Sequence, residues 1–388
     1  LDMHVVIVGA GIGGLATAAL LSRDGHRVTV IESARELGEV GAGIQMSPNG
    51  VRVLDRLGLG SAAAEVGVVP DRIVVRRWQD STELMEMPMG PGALERWGQP
   101  YYAMFRPDVI DLLLTRCERV DIRLASRVVD LDHEHPSVTL LSGETVEGDM
   151  VVGADGIHSA IRTNLFGEQA TRFTGIVAYR ALVPLSEVVD MPVEVTNHVG
   201  PGGHVVTYFV GRGRRYLNLV AIHEDDAWDV ESWNEPGDPD LLRARFEDWS
   251  PMVRDLLDRV RSPIFRWALH DRRPLDQWSR GSTTLLGDAC HPMLPFMAQG
   301  GCQALEDAAA LADAVAGSPD VRVALARYES RRRPRTADIQ SRSFANATTY
   351  HLADGPQQEE RDAAWAAVSR LGAAGLAAFD WLYGSVGG

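Results

Sequence analysis

The chain has 388 residues, 45% of them hydrophobic and 23% charged, which is typical of a globular protein with two or three structural units. Its 53 carboxylates against 38 arginines, with no lysine, give a net charge of −15, which argues against nucleic acid or an anionic membrane as a partner. The three cysteines, Cys117, Cys290 and Cys302, are too few for a disulfide framework and fit no zinc spacing, so we expect a reducing compartment and no metal.

The first forty residues predict a strand, a helix and a second strand. Residues 5–8 are apolar and β-branched, as in a central parallel strand that is buried on both faces. Apolar residues recur at helical spacing over residues 12–24, and a second strand is predicted over residues 27–31. This order is typical of a unit that holds a nucleotide at the start of its helix.

A glycine motif joins the first strand to the helix. Gly9, Gly11 and Gly14 have the G-x-G-x-x-G spacing. The first glycine permits a tight turn, the second lets a pyrophosphate approach the backbone, and the third lets helix and strand pack closely. Glu32 ends the second strand, where a carboxylate accepts hydrogen bonds from a ribose and disfavours a 2′-phosphate. The motif therefore indicates FAD or NAD, and it does not choose between them.

Two later segments place a carboxylate after an apolar strand. Residues 150–152 precede Asp155, and a strand over residues 283–286 precedes Asp288. In an open α/β sheet, ligands bind beyond the carboxyl ends of the strands, so we expect both acids in one crevice. The helix that opens at Gly300 adds free backbone amides, which could stabilise negative charge on a reduced ring.

The middle of the chain, about residues 175–275, changes to strands separated by glycine and proline turns. A helical stretch over residues 240–260, broken near Pro251, interrupts them. The predicted strands span residues 176–183, 205–210, 216–222 and 264–269. We expect them to form a mostly antiparallel sheet.

One face of the strand at 204–210 carries His204, Val206 and Tyr208, because side chains alternate along a strand. From the pattern alone, His204 could cap a glycine-rich turn and Tyr208 could be part of the core. The alternative is that the pair lines a pocket, where a histidine whose pKa lies near neutrality suits proton transfer. The residues by themselves leave both interpretations open.

The C-terminal third predicts helices. A long helix is predicted over residues 321–350, and its run of arginines, 331–335, is interpreted as a solvated or ion-paired face with a kink at Pro334. Residues 363–382 are rich in alanine and predict a further helix, packed on the core or on a second subunit.

Three motifs, taken in order, resemble the single-component FAD-dependent aromatic hydroxylases of the para-hydroxybenzoate hydroxylase type. They are the glycine motif over residues 9–14, Gly153-Ala154-Asp155-Gly156-Ile157-His158-Ser159 with Arg162, and Gly287-Asp288 with His291-Pro292. The resemblance covers nearly the whole chain. Within that class, the stretches 41–45 with Pro48-Asn49, 278–281 and 286–292 look most like 6-hydroxynicotinate 3-monooxygenase, with salicylate hydroxylase and 3-hydroxybenzoate 6-hydroxylase close behind.

The resemblance implies an α/β fold: a Rossmann-like FAD-binding domain of the GR2 type, an inserted, mostly antiparallel β-sheet substrate domain, and C-terminal helices. Residues 1–174 would form the first part of the FAD-binding domain, with substrate-domain strands near residues 70–105. Residues 175–275 would form the substrate-binding sheet. Residues 276–388 would complete the FAD-binding domain and supply the C-terminal helices.

The resemblance also implies the cofactors and their contacts. FAD would be bound, and NADH or NADPH would visit transiently, because the chain has no second G-x-G-x-x-G motif. Glu32 would bind the adenosine ribose, Arg106 the pyrophosphate region, and the backbone at Val128 the adenine. The full implied FAD set is Gly9, Gly11, Gly13, Gly14, Glu32, Ser33, Gln45, Arg106, Val128, Asp155, Asp288, Pro295, Gly300 and Gly301.

For the substrate, the resemblance implies a pocket that contains Arg180, His204, Tyr208 and Pro292. His204 or Tyr208 would deprotonate or hydrogen-bond a ring hydroxyl, because an electrophilic flavin C4a-hydroperoxide attacks an electron-rich ring. Gln45 stands where the 6-hydroxynicotinate enzymes carry a histidine, and glutamine takes no proton at neutral pH. Gln45 is therefore expected to position substrate or flavin. Arg180 could pair with a substrate carboxylate or with a structural acid.

The expected function is an FAD-dependent, NAD(P)H- and O2-consuming monooxygenase that hydroxylates a small hydroxylated aromatic or heteroaromatic carboxylic acid, with loss of CO2 if the carboxylate sits on the attacked carbon. The alternatives are a flavoenzyme of the same fold in natural-product tailoring or reduction, and a non-catalytic flavin-binding redox protein. No apolar run reaches the ~20 residues that cross a bilayer, and no secretion signal precedes the first strand. We therefore expect a cytoplasmic monomer or homodimer.

Overall fold

The computed structural model of this protein describes residues 2–38, 42–225, 227 and 235–384. The strands, in chain order, are β1 (His4–Val8), β2 (Arg27–Ile31), β3 (Gly43–Met46), β4 (Arg72–Arg77), β5 (Glu83–Pro88), β6 (Tyr102–Phe105), β7 (Asp121–Arg123), β8 (Val128–Asp132), β9 (Ser137–Leu140), β10 (Thr145–Glu147), β11 (Met150–Gly153), β12 (Arg172–Pro184), β13 (Val195–Gly200), β14 (Gly203–Val210), β15 (Tyr216–Glu224), β16 (Glu235–Pro236), β17 (Phe265–Asp271), β18 (Ser279–Arg280) and β19 (Thr283–Leu285). The α-helices, in chain order, are α1 (Ile12–Arg23), α2 (Pro48–Arg56), α3 (Gly60–Val66), α4 (Gly90–Trp97), α5 (Arg106–Leu114), α6 (Ala160–Phe166), α7 (Pro239–Arg245), α8 (Pro251–Asp258), α9 (Gly300–Ala316), α10 (Val321–Tyr350), α11 (Pro356–Ser369) and α12 (Asp380–Tyr383).

The first sheet has six strands within the described ranges, in the order β18-β19-β11-β1-β2-β7. Strands β19, β11, β1, β2 and β7 run parallel, and β18 adds an antiparallel edge. The side chains of Val5, Val6 and Ile7 are fully buried, as expected of a central parallel strand covered on both faces. Helices α1 and α9 share one apolar core with these strands. The predicted strands at 5–8 and 27–31 are confirmed.

The second sheet has eight strands over the same described residues, in the order β16-β17-β12-β15-β14-β13-β4-β5. Its neighbours are antiparallel except for the parallel pair β13 and β4. Strands β4 and β5 come from the N-terminal part of the chain and extend the sheet formed by the middle part. The expected α/β class with a mostly antiparallel second sheet is confirmed.

Two strands of this sheet, β13 and the two-residue β16, are not among the predicted ones. Strand β13 is buried on both faces, yet it carries Asn197 and His198. These polar residues interrupt the hydrophobic pattern by which a buried strand is predicted. The predicted interruption near Pro251 is present: the helical stretch divides into α7 and α8. Ser250 caps α8 by accepting a hydrogen bond from the Val253 amide at 3.3 Å, and Pro251 occupies its first turn.

The C-terminal region confirms the long helix and corrects the shorter one. Helix α10 has the predicted bounds and contains Pro334. The single helix predicted over residues 363–382 is wrong, because α11 ends at Ser369 and a 3-10 segment, Gly372–Phe379, precedes α12. Gly372 has a φ of +53°, which an α-helix does not allow. Within the described ranges, the helices are too short or too polar to span a membrane.

Candidate active site

One cavity of about 990 Å³ extends from the glycine motif of the first sheet to one face of the second sheet. The residues of the implied FAD set that line this cavity are Gly9, Gly11, Gly13, Glu32, Ser33, Gln45, Arg106, Val128, Asp155, Asp288, Pro295, Gly300 and Gly301. From the implied substrate set, it is lined by Arg180, His204 and Tyr208. Residues predicted from distant segments therefore meet in one space.

Two implied residues lie behind this cavity instead of on its wall. Gly14 faces the turn: a Cβ there would stand 2.0 Å from the Gly9 carbonyl oxygen, so its task is the close packing of helix on strand. Pro292 is buried, and its carbonyl accepts a hydrogen bond from the Gln340 side chain at 2.8 Å. Pro292 therefore supports the pocket wall from behind and does not line the cavity.

The glycine motif forms a cradle that fits a dinucleotide pyrophosphate. Gly9 has a φ of +106°, and a Cβ on it would stand 2.2 Å from the Ala154 carbonyl oxygen. Gly11 differs: a Cβ there would meet no heavy atom within 4 Å, because its open side faces the cavity. The amides at the start of α1 lie beside that open side, where a helix binds phosphate. The residues present therefore fit FAD.

Glu32 fixes the loop that closes this cradle. One carboxylate oxygen accepts the Ala10 amide at 2.8 Å, and the other accepts the Ala34 amide at 2.8 Å and the Ser33 hydroxyl at 3.1 Å. The carboxylate thus joins the glycine turn to the segment after β2. It still lines the cavity, at the position expected for a ribose contact.

The two predicted aspartates differ in their surroundings. Asp155 accepts hydrogen bonds from the Ser159 hydroxyl at 2.5 Å and the Ile161 amide at 3.1 Å, so it caps the start of α6. Burial raises the pKa of Asp155, although these hydrogen bonds oppose the shift. Asp288 lies on a 3-10 turn, remains exposed and borders the cavity beside Gly300.

The second sheet presents alternate residues of neighbouring strands to the cavity. Asn197 on β13 pairs in register with Val206 on β14, and Val206 pairs with Val220 on β15. All three line the cavity, as does Arg180 on β12, which pairs with Val220. This row makes a mostly apolar wall in which single polar groups stand out. The predicted alternation of His204, Val206 and Tyr208 is part of that face.

Gln45 and Tyr101 form a polar pair near Tyr208. The Tyr101 hydroxyl donates to Gln45 Oε1 at 2.6 Å, since β3 and β6 pair antiparallel beside the sheet. Burial raises the pKa of Tyr208 to about 12, although the Arg180 charge and a hydrogen bond with Gln45 oppose the rise. Tyr208 therefore keeps its proton at neutral pH and acts as a hydrogen-bond donor.

His204 is 1% exposed, and its Nδ1 lies 2.8 Å from Nε2 of His351 at the end of α10. Burial, reinforced by the neighbouring His351, holds the pKa of His204 well below its usual range. The imidazole is therefore neutral at pH 7 and has one nitrogen that can accept a proton. Phe296 and Tyr350 pack edge-on against its ring and fix its orientation.

Arg180 and Asn197 complete the polar groups of the sheet face. The Arg180 guanidinium lies 4.3 Å from the centre of the Trp267 ring, a cation–π contact. The Asn197 side-chain oxygen is buried, and over the described ranges it has no hydrogen-bond partner. Asn197, Tyr101 and His351 do not appear among the residues expected from sequence. Tyr101 lies just ahead of a short strand, and His351 follows a helix, so neither has a motif around it.

A dinucleotide cradle that opens into a pocket with acid–base side chains defines a cofactor-dependent oxidoreductase. The sequence matches the model of the FAD binding domain family over residues 2–343. The chain therefore belongs to the FAD binding domain family and is an FAD-dependent aromatic-ring monooxygenase, as its motifs predict.

Similar proteins agree with this placement. A 3-amino-4-hydroxybenzoate 2-monooxygenase of Streptomyces platensis is 38% identical over 98% of this chain and 96% of that protein. A 3-hydroxybenzoate 6-hydroxylase of Klebsiella oxytoca is 35% identical over 98% of this chain and 96% of that protein. The crystal structure of Klebsiella pneumoniae HpxO with FAD and uric acid has a TM-score of 0.86 and 28% identity, and the match covers 99% of this chain and 98% of that one.

Proposed function

We propose that this protein hydroxylates a benzoate-type ring that carries a hydroxyl group, and that it consumes NAD(P)H and O2. One observation carries the proposal: the sheet face of the cavity combines a cation, Arg180, with a neutral buried histidine, His204, and a protonated phenol, Tyr208. These groups match a carboxylate, an acidic ring hydroxyl and an oxygen acceptor on one small aromatic molecule.

FAD would occupy the nucleotide end of the cavity. The turn at Gly9 and Gly11 and the start of α1 would hold its pyrophosphate, Glu32 its ribose, and Arg106 and Asp288 its middle part. Bound FAD supplies the reduced ring system that activates O2 for insertion of one oxygen atom into the substrate. Everything else in the reaction is positioning and proton transfer by this chain's residues.

His204 would take the proton of the ring hydroxyl. A neutral imidazole has a lone pair that can accept this proton, although burial lowers the pKa of His204 and so weakens it as a base, and the anion formed makes the ring electron-rich. Tyr208 would donate a hydrogen bond to the same oxygen or its neighbour, and Gln45 would hold Tyr208 in place. Arg180 would bind the carboxylate, because a guanidinium presents its donors in one plane that matches a carboxylate.

Among benzoate-type rings, we propose an amino-hydroxybenzoate first. The buried Asn197 oxygen needs a donor, and an amino group next to the ring hydroxyl would supply one. Two 3-amino-4-hydroxybenzoate 2-monooxygenases, from Streptomyces platensis and Streptomyces cremeus, are 38% and 37% identical to this chain. A 3-hydroxybenzoate substrate is the second candidate, from the 35% identical hydroxylase.

The test is a substrate panel with the purified, FAD-loaded enzyme. NADH and NADPH oxidation would be followed with 3-amino-4-hydroxybenzoate, 3-hydroxybenzoate and 6-hydroxynicotinate, and each product would be identified by mass. We expect oxidation that depends on the ring and a product one oxygen atom heavier, or a decarboxylated hydroxylation product. Oxidation without any oxygenated product from the panel would contradict the proposal.

We also propose that residues 175–275, with the strands near residues 70–105, form the substrate-binding unit, and that the enzyme is a cytoplasmic monomer or homodimer. All three cysteines are buried free thiols, which suits a reducing compartment. Light scattering on the purified protein gives the number of subunits.

A further inference from the structure

A row of three side chains connects the substrate end of the cavity with the protein surface. His204 lines the cavity, His351 is buried behind it, and Glu224 has a side chain that is 58% exposed. His204 Nδ1 lies 2.8 Å from His351 Nε2, and His351 Nδ1 lies 3.1 Å from Glu224 Oε1. Both distances are those of direct hydrogen bonds, so the row is continuous from pocket to solvent.

The fold holds these three residues together through backbone contacts. Glu224 ends β15, and its amide donates to the Gly202 carbonyl at 2.8 Å. Gly202, in the turn before β14, donates its own amide to the His351 carbonyl at 3.1 Å. The turn between β13 and β14 is therefore fastened to the end of α10. This arrangement keeps the row aligned without help from a ligand.

The carboxylate at the surface sets the proton positions along the row. An ionised carboxylate only accepts hydrogen bonds, so His351 must carry its proton on Nδ1. Nε2 of His351 then has a lone pair and accepts a hydrogen bond from Nδ1–H of His204. This leaves the lone pair of His204 on Nε2. Glu224 thus selects the tautomer in which His204 can act as a base.

The groups packed around the row bear on which of its three members carry charge. The Tyr350 hydroxyl and the ring of Phe296 flank His204, and neither adds a charge at neutral pH. The guanidinium of Arg245 donates to the Glu224 backbone carbonyl, so an arginine stands beside the exposed end of the row. Burial lowers the pKa of His351, although Glu224 opposes the shift. The resting row is therefore two neutral imidazoles and one carboxylate.

We propose that His351 and Glu224 form the path by which the proton of the substrate hydroxyl leaves the pocket. The inference rests on the proposed role of His204. The substrate O–H bond breaks as an N–H bond forms at His204 Nε2. The proton on His204 Nδ1 passes to His351 Nε2, and the proton on His351 Nδ1 passes to Glu224 and then to water. When the product takes up a proton, the same transfers run in reverse and restore the tautomers.

This path solves a problem that the burial of His204 creates. A base that is 1% exposed cannot give its proton to water directly, and an imidazolium in that place would be desolvated. Passing the charge through His351 to a carboxylate at the surface avoids a buried cation. His351 and Glu224 act through His204, so they are positioning residues and not catalytic ones.

The test uses FAD-loaded enzyme without NAD(P)H, mixed rapidly with the preferred ring acid from the panel. Absorption of the ring anion reports deprotonation of the bound substrate, which does not require turnover. The variant is Glu224→Gln, which keeps a hydrogen-bonding group at the surface but cannot accept the proton. The matched control is Glu247→Gln, which removes an exposed carboxylate in the turn between α7 and α8. Glu224→Asp is the conservative variant.

We expect Glu224→Gln to slow deprotonation about tenfold, less than the 10²–10⁴ of a directly acting base, while FAD content and substrate affinity stay unchanged. The slowed rate should rise with phosphate concentration, because a buffer base can replace the carboxylate. Glu224→Asp should recover most of the rate, and Glu247→Gln should match the wild type. A Glu224→Gln rate equal to wild type at all buffer concentrations would overturn the path.

His351→Gln provides a second measurement in case one variant fails to fold. We expect it to slow deprotonation and to remove the buffer dependence, since the break then lies inside the protein. A wild-type enzyme that hydroxylates none of the panel would count against the proposed function. A wild-type enzyme that hydroxylates, together with variants that deprotonate the ring at wild-type rate, would count against the path alone.

Discussion

The two ends of the cavity are built by different means. The nucleotide end uses backbone: three glycines, the amides of one helix turn and a carboxylate that is held by backbone amides, all within the segment from β1 to the end of β2. The substrate end uses side chains that arrive from far apart along the chain. His204 meets His351 across 147 positions, and the Gly43 amide donates to Asn218 across 175 positions.

This difference has consequences for what each end tolerates. At Gly9 and Gly14 the backbone cradle has no room for added atoms, because neighbouring main-chain groups already touch, whereas Gly11 faces the open cavity. At the substrate end, removing one side chain removes that group's role in the reaction, but the strands that carry the side chains remain paired. Substitutions at Gly9 or Gly14 should therefore affect folding and FAD together, whereas those at the substrate end should affect the reaction of a protein that still binds FAD.

The largest effect is expected for Gly14→Ala. The new Cβ would stand 2.0 Å from the Gly9 carbonyl oxygen, so helix α1 must move from β1, at a cost of about 3 kcal/mol or more. The comparison is Gly11→Ala, whose Cβ meets no heavy atom within 4 Å. It should fold normally but weaken FAD at least about tenfold, since its methyl group takes the place of the pyrophosphate. Thermal unfolding and flavin titration separate the two, and equal behaviour would contradict the cradle.

A second large effect concerns the polar core that supports the nucleotide end. Arg332 is 3% exposed and donates to Asp307 at 2.6 Å and to Glu306 at 2.5 Å, and thereby joins α10 to α9. Arg332→Ala should lower the free energy of unfolding by about 3–5 kcal/mol, the cost of leaving buried carboxylates without their partner. Arg331→Ala, at an exposed position of the same run, should cost about 1 kcal/mol or less. Urea unfolding measures both.

The same pair predicts a dependence on acid. Burial alone would raise the pKa of Asp307, but His291 and Arg332 outweigh it and hold the value at about 2. A carboxyl group whose pKa is depressed in the folded state stabilises the protein above its ordinary pKa of 3.8, and this stability is lost as the pH falls through 2. In Arg332→Ala the folded-state pKa of Asp307 should lie closer to 3.8, so the fall in the free energy of unfolding between about pH 5 and pH 2 should be smaller than in the wild type. An equal fall in both proteins would show that Arg332 does not set this pKa.

The contrast also explains what the sequence can predict. The glycine motif, Glu32 and the two strands around them form a local unit, so spacing alone identifies them. Alternation along a strand likewise predicts that His204 and Tyr208 share one face. Asn197 is not predicted, because its strand is buried on both faces and contains polar residues. His351 is not predicted either, because the end of a long helix has no pattern that points to a strand 147 positions away.

The run of arginines from 331 to 335 shows the same limit. Its composition predicts a solvated or ion-paired face, and the ion pairs exist. What no composition reveals is that Arg332 points inward, since this depends on where Glu306 and Asp307 lie on another helix. Helical spacing gives the face of a residue only when the partner helix is known.

At the substrate end, His204→Ala should leave FAD binding intact and slow hydroxylation by roughly 10²–10⁴, the usual contribution of a general base. Tyr208→Phe removes one hydrogen bond and should slow it only about tenfold. Anaerobic reduction of the flavin by NAD(P)H is the control, because it does not need the base. A hydroxylation rate in His204→Ala equal to wild type would remove His204 from the proposed mechanism.

A smaller effect than that of His204→Ala separates two roles for Arg180. If its guanidinium binds the substrate carboxylate, Arg180→Met should raise KM about 10- to 100-fold with little change in kcat, since a charged hydrogen bond is worth about 1.5–3 kcal/mol in ground state and transition state alike. Arg180→Lys should recover part of that loss, because it keeps the charge without the planar pair of donors.

The discriminating substrate for Arg180 is the matching phenol that lacks the carboxylate. A carboxylate partner predicts that wild type and Arg180→Met bind this phenol equally weakly. A structural role predicts instead that the variant loses affinity for acid and phenol by the same factor, because the shape of the whole sheet face would change. Arg180 lies over Trp267 and its charge acts on Tyr208, so a shift in the Tyr208 environment would appear with both ligands. Only a loss of affinity that is confined to the acid supports direct recognition. Arg180 would then be the side chain with which the substrate end recognises the negative charge of the substrate.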